Sequence, residues 1–196
     1  MSPVSKGRKR KPKKSGRGTA RPNRPVQRSE VLAEHDLERD AYVGDLSPAV
    51  PEDEVERILD RRVFAMPFRK ATIDGEEYDR LDPADPDERS LLIESEHPEF
   101  REYLADSSWQ GEIDGMNPRF HLTMHEVIAN QLWDDEPPET WQAAKRLREQ
   151  GMDRHDILHE LAGVMAKHMQ PTLIRGEPFD EDAYRRALAD MGGSST

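Results

Sequence analysis

The chain has 196 residues, with 29 Lys and Arg against 40 Asp and Glu, a formal net charge of −11, 34% hydrophobic residues and no cysteine. Disulfide scaffolds and cysteine-based zinc sites are thereby excluded, and no run of roughly 18 apolar residues is present to span a bilayer, so no membrane partner is expected and only nitrogen and oxygen metal sites remain open. The length suits one domain, and a folded part of about 100–170 residues can bury an adequate core.

Charge divides the chain at its start. Residues 1–28 carry eleven Lys and Arg and no acid, while the remaining 168 residues hold eighteen basic side chains against forty acidic ones, a net −22. Such a segment has almost nothing apolar to bury and cannot offset the entropy of ordering, so a disordered basic arm is predicted. Lys6, Arg8, Lys9, Arg10, Lys11, Lys13 and Lys14 are its candidate phosphate contacts, with nucleic acid or the ribosome as partner. The alternatives are a solubilising tail or one that folds back on the acidic remainder, and no aromatic residue is interleaved for base stacking. An apolar export signal is missing and Pro and Gly interrupt any amphipathic leader, which gives a cytoplasmic location as the expectation.

Residues 29–50 are read as a weakly structured linker, with a faint period through Val31, Leu32, Leu37 and Tyr42 and two prolines in Leu46–Pro51. A helical domain is expected over 51–190 and a flexible end over 191–196. Val55, Ile58, Leu59, Arg62 and Val63 fall on one helix face, preceded by Glu52, Asp53 and Glu54 at the positive end of the dipole and stopped near Pro67. Residues 74–89 are acidic and turn-rich. Helices follow over Asp87–Glu96 and Pro98–Ala105, then a loop over Ser107–Gly115. No stretch alternates with period two in β-branched residues, so the fold class predicted is all-α, a small helical bundle.

Three stronger helices come next. Asn117 and Pro118 start the first, with Phe120, Met124, Val127, Ile128, Gln131 and Leu132 facing inward until Pro137 and Pro138. The second spans about Glu139–Gln150 with Trp141, Ala144, Leu147 and Arg148. The third starts at Asp153, carries Ile157, Leu158, Leu161, Ala162, Met165 and Met169 on its core side, and is expected to end at Pro171. A last short helix is placed after about Pro171, with Leu173, Phe179, Tyr184 and Leu188.

Within these helices the spacing H-x-x-x-H-E occurs twice, as His121-Leu-Thr-Met-His125-Glu126 and His155-Asp-Ile-Leu-His159-Glu160. Histidines at i and i+4 lie on one face about a turn apart and converge on one ion. Short connections favour an up-down-up arrangement, which makes the two histidine helices parallel and brings both pairs to the same end. Four clustered imidazoles repel when protonated and are stable when neutral around a divalent ion. A divalent transition metal bound by His121, His125, His155 and His159 is therefore predicted, and spacing does not choose among Zn, Fe, Mn or Ni.

Glu126 and Glu160 are the candidate catalytic carboxylates. Four roles stay open for them: acceptors for an imidazole N–H, ligands of a second ion, a general base on metal-bound water, or solvated helix residues. The pattern is not H-E-x-x-H, so a metalloprotease has no motif support. His97 is read as a helix cap, His35 as exposed, and His168 as outside the site. Three functions follow: a metal-dependent hydrolase or oxidase, a metal-stabilised module whose arm contacts nucleic acid, and a metal-free helical interaction protein.

The segments Glu96-His97-Pro98-Glu99-Phe100, Asn117-Pro118-Arg119-Phe120-His121-Leu122-Thr123-Met124-His125 and His155-Asp156-Ile157-Leu158-His159-Glu160 together resemble a bacterial family known as domain of unknown function 1841. The resemblance covers about Arg61–Met169. It implies a small helical domain in which the four histidines matter, and it implies no activity. Glu126 stands where that family usually has an aliphatic residue, and the basic arm and the acidic segment to about residue 60 are additions.

Overall fold

A computed structural model of the chain describes residues 38–73, 75–113 and 115–193. The basic arm with Lys6, Arg8, Lys9, Arg10, Lys11, Lys13 and Lys14 lies outside these residues, as do His35 and the periodic positions Val31, Leu32 and Leu37. The described part is mostly helical, as predicted. Its helices are α1 (Glu52–Ala65), α2 (Pro86–Ser95), α3 (Arg101–Leu104), α4 (Pro118–Asp134), α5 (Pro138–Glu149), α6 (Arg154–Arg175) and α7 (Glu181–Asp190), and residues 38–43 are also helical. Among the described residues no helix is long and apolar enough to cross a membrane.

Local chemistry sets most helix starts. The side chain of Asp85 accepts from the Asp87 and Glu88 amides, Asn117 from Phe120, Asp153 from Asp156 and Asp180 from Ala183, satisfying amides that the first turn leaves without partners. Pro86, Pro118 and Pro138 occupy first helical positions, where the missing N–H costs nothing.

Helices α4, α5 and α6 pack on one another in the predicted up-down-up order, α7 closes over α5 and α6, and α1 and α2 lie against α4. Ile128 and Leu132 of α4, Ala144 and Leu147 of α5, and Ile157 and Leu161 of α6 share one core with Leu188 of α7. Burying each large aliphatic side chain contributes about 1.5–3 kcal/mol relative to leaving it exposed. A polar lock sits inside this apolar frame. The Tyr184 hydroxyl donates to Gln131 Oε1 at 2.7 Å and the Thr140 hydroxyl to the same oxygen at 2.9 Å, joining α7, α4 and α5.

Four expectations change. Pro171 does not end α6, which takes in the exposed Leu173 predicted for the last helix, runs on to Arg175 and stops at Gly176, a left-handed residue (φ 67°) whose N–H reaches the Thr172 carbonyl. The proline removes one backbone hydrogen bond, to the carbonyl of Lys167, and Lys167 is exposed, so water can take that bond. In α1 the buried side chains are Arg61, Arg62, Phe64 and Ala65, and Val63 is exposed. The reason is that this helix serves two neighbours: Val55, Ile58 and Leu59 pack toward Trp133, while Phe64 turns onto Trp141 with ring centroids 5.4 Å apart.

The third change is a two-stranded hairpin, β1 (Ala71–Ile73) antiparallel to β2 (Glu76–Tyr78), turning through Gly75 at φ 81°. Its strands are too short to declare a period, and it is pinned from outside: the Thr72 N–H donates to Ser95 Oγ and Arg101 donates to the Thr72 carbonyl. Fourth, the helix expected over Pro98–Ala105 divides into a single 3-10 turn, Pro98–Phe100, and the short α3.

Replacing Gln131 by Leu strands the Tyr184 and Thr140 hydroxyls in the core, both almost fully buried. The expected loss is about 2 kcal/mol, seen as a lower denaturation midpoint at unchanged m-value.

Candidate metal centre

The histidines of both repeated motifs sit in the first two turns of α4 and α6 and converge. Ring centroids are 4.6 Å apart for His121 and His125, 4.3 Å for His155 and His159, and across the helices 5.0 Å for His121 and His159 and 5.4 Å for His125 and His155. Since the motifs occupy the N-terminal turns, this convergence puts both helix starts at one end of the bundle.

A fifth imidazole completes the cluster. His97 is 1% exposed and lies 4.5 Å from the His125 ring, 4.8 Å from His121 and 5.2 Å from His155. It stands at the N-cap position of the 3-10 turn, where its side chain makes no capping bond; its ring instead reaches back to the last turn of α2. Its Nδ1 lies 2.9 Å from the Ile93 carbonyl. A carbonyl only accepts, so Nδ1 carries the hydrogen and Nε2 is a bare lone pair. The same argument holds for His121, whose Nδ1 is 2.9 Å from the Met116 thioether sulfur. Nε2 of His97, of His121 and of His125 is buried with no hydrogen-bond partner among the described residues.

One nitrogen from each of His97, His125, His155 and His159 lies within 4.8 Å of the other three. His121 is not one of these four and stands at their edge against Met116. Around an ion with bonds of about 2.1 Å, tetrahedral nitrogens are roughly 3.4 Å apart, so a small inward rotation of the rings suffices. Burial falls across the set: His97 and His125 are buried, His155 half-buried and His159 exposed.

The electrostatics favour neutral rings at His125, His121 and His159. Burial, with His97 and the other rings as neighbours, pushes the His125 pKa down to about 2, and burial followed by His97, His159 and His155 pushes His121 down to about 4. His159 is also lowered, by burial and by His155, against the opposing pull of Asp156, Glu99 and Glu160.

What brings His97 to the two motifs is a partly buried ion pair between the residues that precede His97 and His155. Arg154 Nη1 donates to Glu96 Oε1 at 2.7 Å, while its Nε and Nη2 donate to the Phe64 and Ala65 carbonyls, both at 2.7 Å. One guanidinium thus ties the start of α6 to the end of α1 and to the residue beside His97. On the other flank Arg119 donates to the Leu104 and Asp106 carbonyls and holds the start of α4 to the end of α3.

Next to the cluster opens a cavity of about 590 Å³ with His121, His125 and His159 in its wall. Glu99 is the carboxylate of its lining. Glu126 is half-buried and Glu160 exposed, and neither belongs to that lining. His168 sits beside Tyr184, with ring centroids 5.9 Å apart.

Sequence reasoning thus found four of the five imidazoles and missed what His97 does. The available signal was its place in Glu96-His97-Pro98, since a residue before proline is held out of the helical region. Its φ and ψ are −122° and 59°.

The profile of the family described as Domain of unknown function (DUF1841) matches residues 57–190, more than half of the chain. No curated protein and no solved structure matches it.

Two outcomes follow from this geometry. Arg154→Met leaves Glu96 and two backbone carbonyls without their partner and is expected to lower stability by about 3 kcal/mol in chemical denaturation. In chelator-treated protein, the unfolded chain, with histidines near pH 6.5, binds protons that the folded His121 and His125 refuse. Stability is therefore full above pH 6.5 and falls as pH drops toward 4 and below, with a slope approaching about 1.4 kcal/mol per pH unit for each ring. Denaturant midpoints measured between pH 7 and 5, where carboxylates barely titrate, check this; a flat profile would contradict it.

Proposed function

The chain belongs to the family Domain of unknown function (DUF1841), and we propose that this member is a metal-binding protein whose histidine cluster holds one divalent transition ion, Zn, Fe, Mn or Ni. His97, His125, His155 and His159 are the four ligands, and His121 stands beside them at the cavity wall.

The single observation that carries this reading is the set of buried Nε2 atoms, on His97, His121 and His125, that have no hydrogen-bond partner among the described residues. Leaving a buried polar atom unpaired costs about 1–3 kcal/mol, and three in one place is a large penalty for a packing cluster to bear. An ion removes two of the three, those of His97 and His125, because a metal takes the lone pair that no donor takes, and leaves that of His121 at the cavity wall. The tautomers agree: the Nδ1–H of His97 on a backbone carbonyl is the usual outer support of an imidazole that binds metal through Nε2. All-nitrogen neutral donors suit Zn, Fe and Ni, suit the harder Mn²⁺ less well, and disfavour Ca²⁺ and Mg²⁺.

The nearby cavity favours a centre with chemistry over a purely structural ion. In that version Glu99, which lines the cavity, is better placed than Glu126 or Glu160 to act on a metal-bound water.

Full-length protein purified without added metal is expected to carry about one equivalent of a transition metal by elemental mass spectrometry. His97→Ala and His125→Ala lose it while far-ultraviolet circular dichroism stays helical, and His121→Ala loses less. Absence of metal, together with no rise in melting temperature on adding Zn²⁺, Fe²⁺, Mn²⁺ or Ni²⁺, refutes the proposal.

A further inference from the structure

Gly163 lies in the middle of the 22-residue α6, where glycine costs helix stability and nothing in the backbone asks for it. A Cβ built there meets no atom within 4 Å, so packing does not ask for it either. What its missing side chain does is leave room. Gly163 lines the cavity beside the histidines together with Ala162 and Ala166, one helix face of small residues facing a wall of larger ones.

That opposite wall is apolar. Phe100, Ile113, Met116, Phe120 and Met124 contribute to it, and Met116 and Phe120 are among the large hydrophobic side chains that the fold leaves exposed, at 47% and 38%. The volume of about 590 Å³ lies within the roughly 300–1,000 Å³ of small-molecule pockets. The polar groups of the lining are His121, His125 and His159, the Glu99 carboxylate and the Tyr103 hydroxyl, three of the five being imidazoles of the cluster.

Charge then selects the head of a ligand. Neutral imidazoles leave the charge of a divalent ion uncompensated, and the lining supplies one carboxylate against it. We infer that the cavity binds a small monoanionic molecule, an aryl or alkyl carboxylate, with its apolar body over Gly163 and its oxygen head on the metal side. This rests on the metal reading above and names the class of ligand for that site.

The test uses full-length protein loaded with Co²⁺, whose visible bands report coordination, and hydrocinnamate as probe. Hydrocinnamate is expected to bind saturably and shift the Co²⁺ bands. The neutral hydrocinnamyl alcohol binds at least tenfold more weakly, and so does hydrocinnamate to Gly163→Leu, a variant that still takes up one equivalent of Co²⁺. Gly163→Ala serves as the folding control and should melt at higher temperature than the parent. Should Gly163→Leu misfold, Ala166→Leu replaces it, narrowing the same cavity from the same helix face. Equal binding of acid and alcohol, equal binding by metal-free protein, or no binding by Co²⁺-loaded protein overturns the inference and leaves the metal reading standing. A chain that takes up no Co²⁺ overturns both.

Discussion

The arrangement of the five imidazoles depends on one guanidinium. Arg154 sits at the first position of α6, where its side chain reaches the carbonyl ends of α1 and the carboxylate of Glu96 at once. Each contact alone is ordinary. Together they fix the end of α2 relative to the start of α6, and the next residue on either side of the ion pair is a histidine of the cluster. Removing two charges from water is expensive, and the pair recovers that cost only because every donor it directs inward finds an oxygen. The rest of the bundle could close without it, since the Ile128, Leu132, Ile157 and Leu161 core is indifferent to where residue 97 falls.

The two repeated motifs are a local property of helices, which is why they were legible. Asn117-Pro118 and Asp153 declare helix starts, the four-residue interval puts two rings on one face, and the short connections around α5 force parallel neighbours; each of these steps uses only nearby residues. His97 was not legible in the same way. Its ring reaches the cluster because of Arg154, 57 positions along the chain, and because the Pro98 turn directs it inward. Pro171 misled for a related reason: its effect on a helix depends on whether the freed carbonyl meets water, which is a matter of exposure and not of residue type. The hairpin owes its existence to Ser95 and Arg101, partners beyond its own strands.

The carboxylates illustrate the difference between spacing and position. Glu126 and Glu160 follow the second histidine of each motif, and a helix advances about 100° per residue, so they turn away from the face on which the rings meet. Glu99 carries no motif at all. It reaches the cavity because the 3-10 turn that presents His97 also carries it, so one short turn supplies both an imidazole and the acid beside it.

The burial gradient across the four nitrogens has a kinetic meaning separate from affinity. His97 and His125 lie inside, whereas His159 is exposed and lines the open cavity. If the cluster holds an ion as proposed, one arriving from solvent would meet the outer rings before the inner ones, and one leaving would give up the inner rings first. For the proposed ion, exchange with a competing chelator would pass through the α6 rim, where His155 and His159 are the less buried pair, while His97 and His125 would be the ligands shielded from water. A centre with two shielded ligands and two at its mouth would couple slow loss to water with ready transfer to a chelator brought to that mouth.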